Sequence, residues 1–423
     1  MRTLERSLGI PAAAAIGVAS MLGAGVLVVW ASATAAAGAG VLVALPLAAL
    51  IAALNATSTI RLAMRHPRAG GVYASGRAEL GPVWGFAAGV LFLVGKTASV
   101  AAIGLVAGAY LWPGGERIVA AALVVALAAI NATGIRSTAL VSGIAAAIVI
   151  TGLIVVLGAA LVRGPADPSP EVLWPSAGPD AVLGVLQATG LIFFAFAGYA
   201  RIATLGEEVR DPVRTLPRAA LVSVAGVLLL GAGVLVTLLV LLGTRRLAVS
   251  AAPVAEAAGP AWAPVVAGIA AVACAGSLTG VLAGLSRTAL AMGRDRELPG
   301  VLARIGAQRA TPVVADVLVA VVALVAVLLL DPARVIGVSA CAVLGYYAIA
   351  HVAALRAGAA AGVPRSVAIA GLAGCVVVTL ATPWPALVGV AGALALALLV
   401  RAVVRRSRRL RPPRRLAGDD RPA

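Results

Sequence analysis

Long apolar runs, broken by short charged or Pro/Gly-rich stretches, dominate the chain from end to end. Runs of about 17–25 apolar residues are long enough to cross a bilayer as helices. Twelve can be marked off, at about 10–33, 40–60, 83–111, 118–132, 139–162, 182–205, 219–243, 262–286, 313–330, 333–355, 366–382 and 384–404. Only the Thr382-Pro383-Trp384-Pro385 turn divides the last two. The pattern predicts an all-α polytopic membrane protein. Arg2 and Arg6 before the first run, with Ala31-Ser32-Ala33 at its end, imitate a signal peptide. The run is too long for one and many more follow, so it reads as a retained span.

Composition narrows the class further. Of 423 residues, 62% are hydrophobic and 12% charged, and the mean hydropathy is +1.07. A soluble domain has about a quarter charged residues, so a soluble enzyme, a fibre and a disordered chain are all excluded. The net charge of +17 suggests nucleic-acid binding until its distribution is considered. With the runs alternating across the membrane, 26 Arg fall on the side of both termini and 5 on the other, leaving Lys96 and Arg201 inside spans. Cytoplasmic loops carry the basic excess, so both termini are expected in the cytoplasm. The tail Arg405-Arg406-Ser407-Arg408-Arg409 is expected to meet anionic lipid, not nucleic acid. Cys274, Cys341 and Cys375 lie in apolar runs without metal-ligand spacing, and two His are too few for a His-based metal site. No cofactor is expected.

Two runs carry irregularities at matching places. The first contains Ser20-Met21-Leu22-Gly23-Ala24-Gly25-Val26, and the sixth contains Phe193-Phe194-Ala195-Phe196-Ala197-Gly198-Tyr199. Glycine there can serve close helix packing. Five spans apart, however, the two would sit in inverted halves, which places a transport site at the midplane. Half-helix N-termini offer free N–H groups to a carboxylate, and the opposing ends offer carbonyls to an ammonium group. A zwitterion such as an amino acid suits both.

These stretches resemble the amino acid–polyamine–organocation superfamily of permeases. The resemblance is carried by Gly23-Ala24-Gly25, by Arg65-His66-Pro67-Arg68-Ala69-Gly70-Gly71-Val72-Tyr73 running on to Gly81-Pro82-Val83-Trp84-Gly85-Phe86, by Phe194 to Tyr199 with Gly206-Glu207-Glu208-Val209-Arg210-Asp211-Pro212, and by Ser286-Arg287-Thr288 with Ala291-Met292-Gly293-Arg294-Asp295. It implies a LeuT-type five-plus-five inverted repeat (1–162 and 163–355), two further helices (356–404), a basic tail (405–423), and alternating access. It implies a secondary transporter of an amino acid or related amine, moved by proton symport, with exchange or a non-transporting nutrient sensor as alternatives. Two departures stand out. Ala200 and Arg201 follow the span-six Gly where such permeases often carry Glu, and span five lacks the Lys some members use in place of sodium.

Candidate site residues follow. Met21, Gly23, Ala24, Gly25, Phe194, Ala195, Phe196 and Gly198 are expected to bind substrate. Phe194 or Phe196 would close over it or stack on an ammonium group, the plainer alternative being packing. Lys96 lies 12 residues past Trp84, roughly 18 Å deep at 1.5 Å per residue. A Lys at that depth costs at least about 2.5–3.5 kcal/mol and usually faces an interior cavity. Two readings stand side by side: a proton carrier replacing the missing Lys or a sodium ion, or a structural Lys on the carbonyls of a broken helix. Arg201 gates with Glu207 or Glu208, or snorkels to the inner surface. Ser277 and Thr279 line a cation site beside span one, or satisfy helix carbonyls.

Overall fold

Where Gly, Pro and charge interrupt the apolar runs, the backbone breaks or turns. A computed structural model describes residues 9–66, 68, 70–132, 139–165, 171–173, 178–205, 209–304, 313–330 and 332–410. The chain forms α1 (Ile10–Met21), α2 (Gly25–Ala37), α3 (Val41–Arg65), α4 (Val72–Leu80), α5 (Pro82–Leu111), α6 (Glu116–Ala132), α7 (Ala139–Arg163) and α8 (Pro179–Phe196). It continues through α9 (Pro212–Val249), α10 (Pro253–Ala258), α11 (Ala263–Arg294), α12 (Val313–Leu329), α13 (Pro332–Ala357), α14 (Arg365–Ala381) and α15 (Trp384–Leu410). No β-strand occurs among the described residues. In lipid every backbone polar group needs a partner within the segment, which helices alone provide here.

Proline opens several of these helices, at Pro82, Pro179, Pro212 and Pro253. At the first helical position its missing N–H has no intrahelical partner to lose. Gly243 ends the regular part of α9 with φ 66°, a conformation that L side chains rarely adopt. That is where the seventh apolar run was expected to stop. The connection after the second run is not an open loop: it contains α4, pinned at its start by the Val72 N–H donating to Tyr346 Oη at 3.0 Å.

Among the described residues, eight helical stretches are long and apolar enough to cross a membrane, and Ile10–Met21, Val313–Leu329 and Arg365–Ala381 are shorter apolar helices. Their burial differs in a way that orders the bundle. The most apolar stretch of α5 is 83% buried, whereas that of α15 is 6% buried. So α5 runs through the centre against α13 and α11, and α15 lies at the rim. Exposed side chains such as Leu229, Leu329 and Leu380 face outward in numbers that a water-facing surface would not carry. In a bilayer these faces cost nothing, because lipid tails are as apolar as they are. The protein is an all-α, multi-pass membrane protein.

Candidate functional site

The first break falls at Leu22-Gly23-Ala24, between α1 and α2. Leu22 N–H still donates to the Val18 carbonyl at 2.8 Å, but Gly23 N–H turns to the Met21 carbonyl at 2.8 Å. The second break follows Phe196, where α8 gives way to a 3-10 segment, Ala197–Leu205. A 3-10 stretch inside a helix often marks a hinge or a site.

The two breaks pack against each other, and glycine permits it. A Cβ on Gly198 would overlap the Ser20 carbonyl oxygen. One on Gly25 would come within 2.5 Å of the Ala195 Cα, and one on Gly23 would overlap the Ser277 hydroxyl of α11. Backbone thus meets backbone across the two interrupted helices, with α11 alongside.

Around this junction lies a cavity lined by Ser20, Met21, Ala24, Gly25, Lys96, Ser99, Ile103, Phe194, Ala195, Ala197, Gly198, Ser277 and Val281. Its free space, open mouth included, is ≈ 340 Å³. Eight of the twelve expected site residues line it: Met21, Ala24, Gly25, Phe194, Ala195, Gly198, Lys96 and Ser277. Gly23 stands behind Ser277 and supplies close approach rather than cavity wall. Phe196 is 1% exposed and belongs to the apolar core. Thr279 points elsewhere, with its hydroxyl spent on the Ala275 carbonyl at 2.8 Å. Arg201 sits half-buried on the 3-10 segment, and the Glu207 and Glu208 expected to meet it lie outside the described residues.

Lys96 is 7% exposed, and its Nζ donates to the Ala197 carbonyl at 3.3 Å. The acceptor is the first residue of the 3-10 segment. Of the residues lining the cavity, Lys96 alone carries a charge. One turn on, the Ser99 hydroxyl contacts that of Ser339 on α13 at 2.7 Å.

Ser20, Ser99, Ile103, Ala197 and Val281 line the cavity without having been singled out in the sequence. Helical spacing carries their signal: 96, 99 and 103 share a face of α5, and 277 and 281 share one of α11. Asp316 was passed over as well. It is buried in the first turn of α12, and its Oδ1 accepts from Asn131 Nδ2 at 2.7 Å and from the Ser286 hydroxyl.

The model of a known family, described as amino acid permease, matches residues 8–404. An uncharacterised transporter of Mycobacterium tuberculosis is 47% identical over 386 residues, covering 90% of this chain and 87% of that protein. The branched-chain amino acid permease of Bacillus subtilis is 26% identical over 345 residues, 74% of this chain and 72% of that one. The chloroplastic cationic amino acid transporter 9 of Arabidopsis thaliana is 28% identical over 337 residues, 72% of this chain and 58% of its own. With the paired helix breaks in place and the match running over nearly the whole length, the chain belongs to the amino acid permease family, a family of membrane transporters.

Proposed function

We propose that the protein is a secondary active transporter of a neutral amino acid with an apolar side chain, working by alternating access and coupled to proton movement. The two breaks lie in inverted five-span halves, 1–162 and 163–355, within a bundle of twelve spans whose termini face the cytoplasm. The Arg distribution supports that orientation, and the mutual packing of the breaks supports the inverted repeat.

The observation that carries the reading is Lys96 on the Ala197 carbonyl. A charged Lys96 holds the start of the 3-10 segment, and a neutral one has less hold on it. Loss or gain of its proton therefore biases the segment that must move for the site to open. The structural role and the coupling role become one role, because the acceptor belongs to the moving part.

Substrate class follows from the lining. A cation would face the Lys96 ammonium with no carboxylate beside it in the wall, and like charges at short range repel. Ile103, Val281 and Phe194 offer an apolar wall. The relative named for branched-chain amino acids agrees with this wall, and the relatives named for cationic ones do not. Ser277 beside Gly23 lacks a second polar side chain from Thr279, which favours a proton over sodium.

The test is uptake into proteoliposomes with and without an inward proton gradient. Valine, leucine and isoleucine are expected to compete best, and Lys96→Met is expected to lose gradient-driven accumulation. Best competition by arginine or putrescine would overturn the substrate class, and uphill, pH-dependent uptake by Lys96→Met would overturn the coupling.

A further inference from the structure

A second polar cluster lies in the core apart from the cavity lining. Asn55 and Ser58 of α3, His351 of α13 and Cys375 of α14 meet there, and each is buried. His351 is 0% exposed. Its Nε2 lies 2.7 Å from Asn55 Oδ1, and its Nδ1 lies 3.0 Å from Ser58 Oγ. The Cys375 thiol donates to the same Asn55 oxygen at 3.2 Å, so that oxygen is the acceptor of both contacts. Nε2 therefore carries the ring hydrogen, and Nδ1 accepts from the Ser58 hydroxyl.

The surroundings are shaped for this ring. Thr57 and Thr59, on either side of Ser58, donate to the carbonyls four residues back at 2.8 Å, the common arrangement in membrane helices. Ser58 turns to the imidazole instead. On α14, a Cβ at Gly371 would overlap the ring. Three further buried polar atoms, Asn55 Nδ2, Tyr199 Oη and Tyr347 Oη, face one another without a well-formed hydrogen bond. Tyr199 follows Gly198 on the 3-10 segment, and its ring packs on that of Tyr347 at 5.3 Å.

The ionisable groups near the ring come from each neighbouring element. Tyr199 comes from the 3-10 segment, Cys375 from α14, and Tyr346 and Tyr347 from α13 itself. Arg61 lies one turn beyond Ser58 on α3 and reaches toward Gly362, while Lys96 of α5 is turned to Ala197. No carboxylate bonds to the ring among the described residues.

We propose that His351 is a second proton-binding site, separate from Lys96 and coupled to the position of the 3-10 segment. The proton adds to the Nδ1 lone pair. The Ser58 hydroxyl turns from donor to acceptor and gives its own hydrogen to a water molecule that enters with the proton, so no covalent bond breaks. Asn55 Oδ1 continues to accept from Nε2. A dry pocket of neutral groups holds an imidazolium poorly. The proton therefore binds when movement of the Tyr199 segment draws its phenol away from Asn55 and admits water there, and its binding favours that open arrangement by the same amount. The coupling part rests on the alternating-access reading; proton binding by the ring does not.

The chain has two His, His66 and His351, so a His66→Asn variant labelled with ¹⁵N in imidazole leaves one ring to observe. The expected spectrum in alkaline solution is a single Nε2–H tautomer, with Nδ1 gaining a proton on acidification while the protein stays folded by circular dichroism. A ring that stays singly protonated until the protein unfolds, or that is the Nδ1–H tautomer, overturns the proposal. In proteoliposomes, His351→Gln is expected to shift the pH profile of uptake while Lys96-dependent accumulation and substrate binding in detergent are kept; an unaltered pH profile overturns the coupling. Absence of uptake by the parent protein would count against the transport reading, with the spectrum still deciding the proton site.

Discussion

Gly198 shows how much a single hydrogen atom can carry. It holds the two breaks at backbone distance, and an added methyl has no flexible neighbour to push aside, since the Ser20 carbonyl and Met21 nitrogen are what it meets. Overpacking of this kind costs about 1–3 kcal/mol. Gly198→Ala is expected to lower thermal stability by that amount in a detergent melt and to abolish uptake, since the breaks must separate or shear. Gly233, where a Cβ meets nothing within 4 Å, is the matched control: Gly233→Ala is expected to leave both unchanged. Lys96 makes the same point by charge. Its insertion cost is offset at one acceptor, the Ala197 carbonyl, at the point where α8 gives way to the 3-10 segment.

At the scale of elements, the strongest device joins α4, the segment after α11, and α15. The Glu297 side chain is 1% exposed. It accepts from Arg77 Nη1 at 2.7 Å, from Arg401 Nε at 2.7 Å and Nη2 at 3.1 Å, and from Arg405 Nη2 at 2.7 Å. Arg401 also lies over the Phe86 ring at 5.2 Å. The rim helix, with so little buried surface, is thus tied on by charge. Burial works to raise the Glu297 carboxyl, but the bonds from Arg401 and Arg77 outweigh it and hold the group below the usual carboxylate range. A carboxyl depressed in the folded state stabilises above its unfolded value of about 4.3 and stops doing so as pH falls through its lower folded value. Glu297→Gln is expected to cost about 3 kcal/mol, the low end for breaking a buried pair, because Arg77 and Arg405 are 30% and 45% exposed. Melts from neutral pH down to about pH 3 check this: the stability difference between parent and variant should shrink toward the acid end.

For the whole molecule, the Arg distribution and the lipid-facing apolar surfaces make one statement about how the bundle sits. Ser407 near the end of α15 is exposed, whereas Cys274, Cys341 and Cys375 are buried. A Ser407→Cys variant is therefore a clean reporter of side. A membrane-impermeant thiol reagent is expected to leave it unlabelled in intact cells and to label it once the membrane is permeabilised. Labelling in intact cells would reverse the proposed orientation.

Apolar run length and glycine position are local properties, so the sequence alone determined the helical membrane class, the place of most apolar helices, and both breaks; α9 begins seven residues before its apolar run, α11 ends eight after its own, and α4 and α10 lie outside the runs. The two breaks, the depth of Lys96 and the hydroxyl of Ser277 were enough to find eight of the lining residues. It was not enough to separate Phe194, which lines the cavity, from Phe196, which is core, because two residues of one type near a break differ only in which way the helix turns. Thr279 takes the second of its two expected roles, its hydroxyl satisfied within its own helix. Contacts between distant segments have no local signature: Lys96 with Ala197, 101 residues on, and Asn55 with His351, 296 residues on, exist only once the helices are packed. Bilayer solvation acts on each segment by itself and so can be read from sequence, whereas the partners of buried polar groups are decided by which helices meet, and only the tertiary structure contains that.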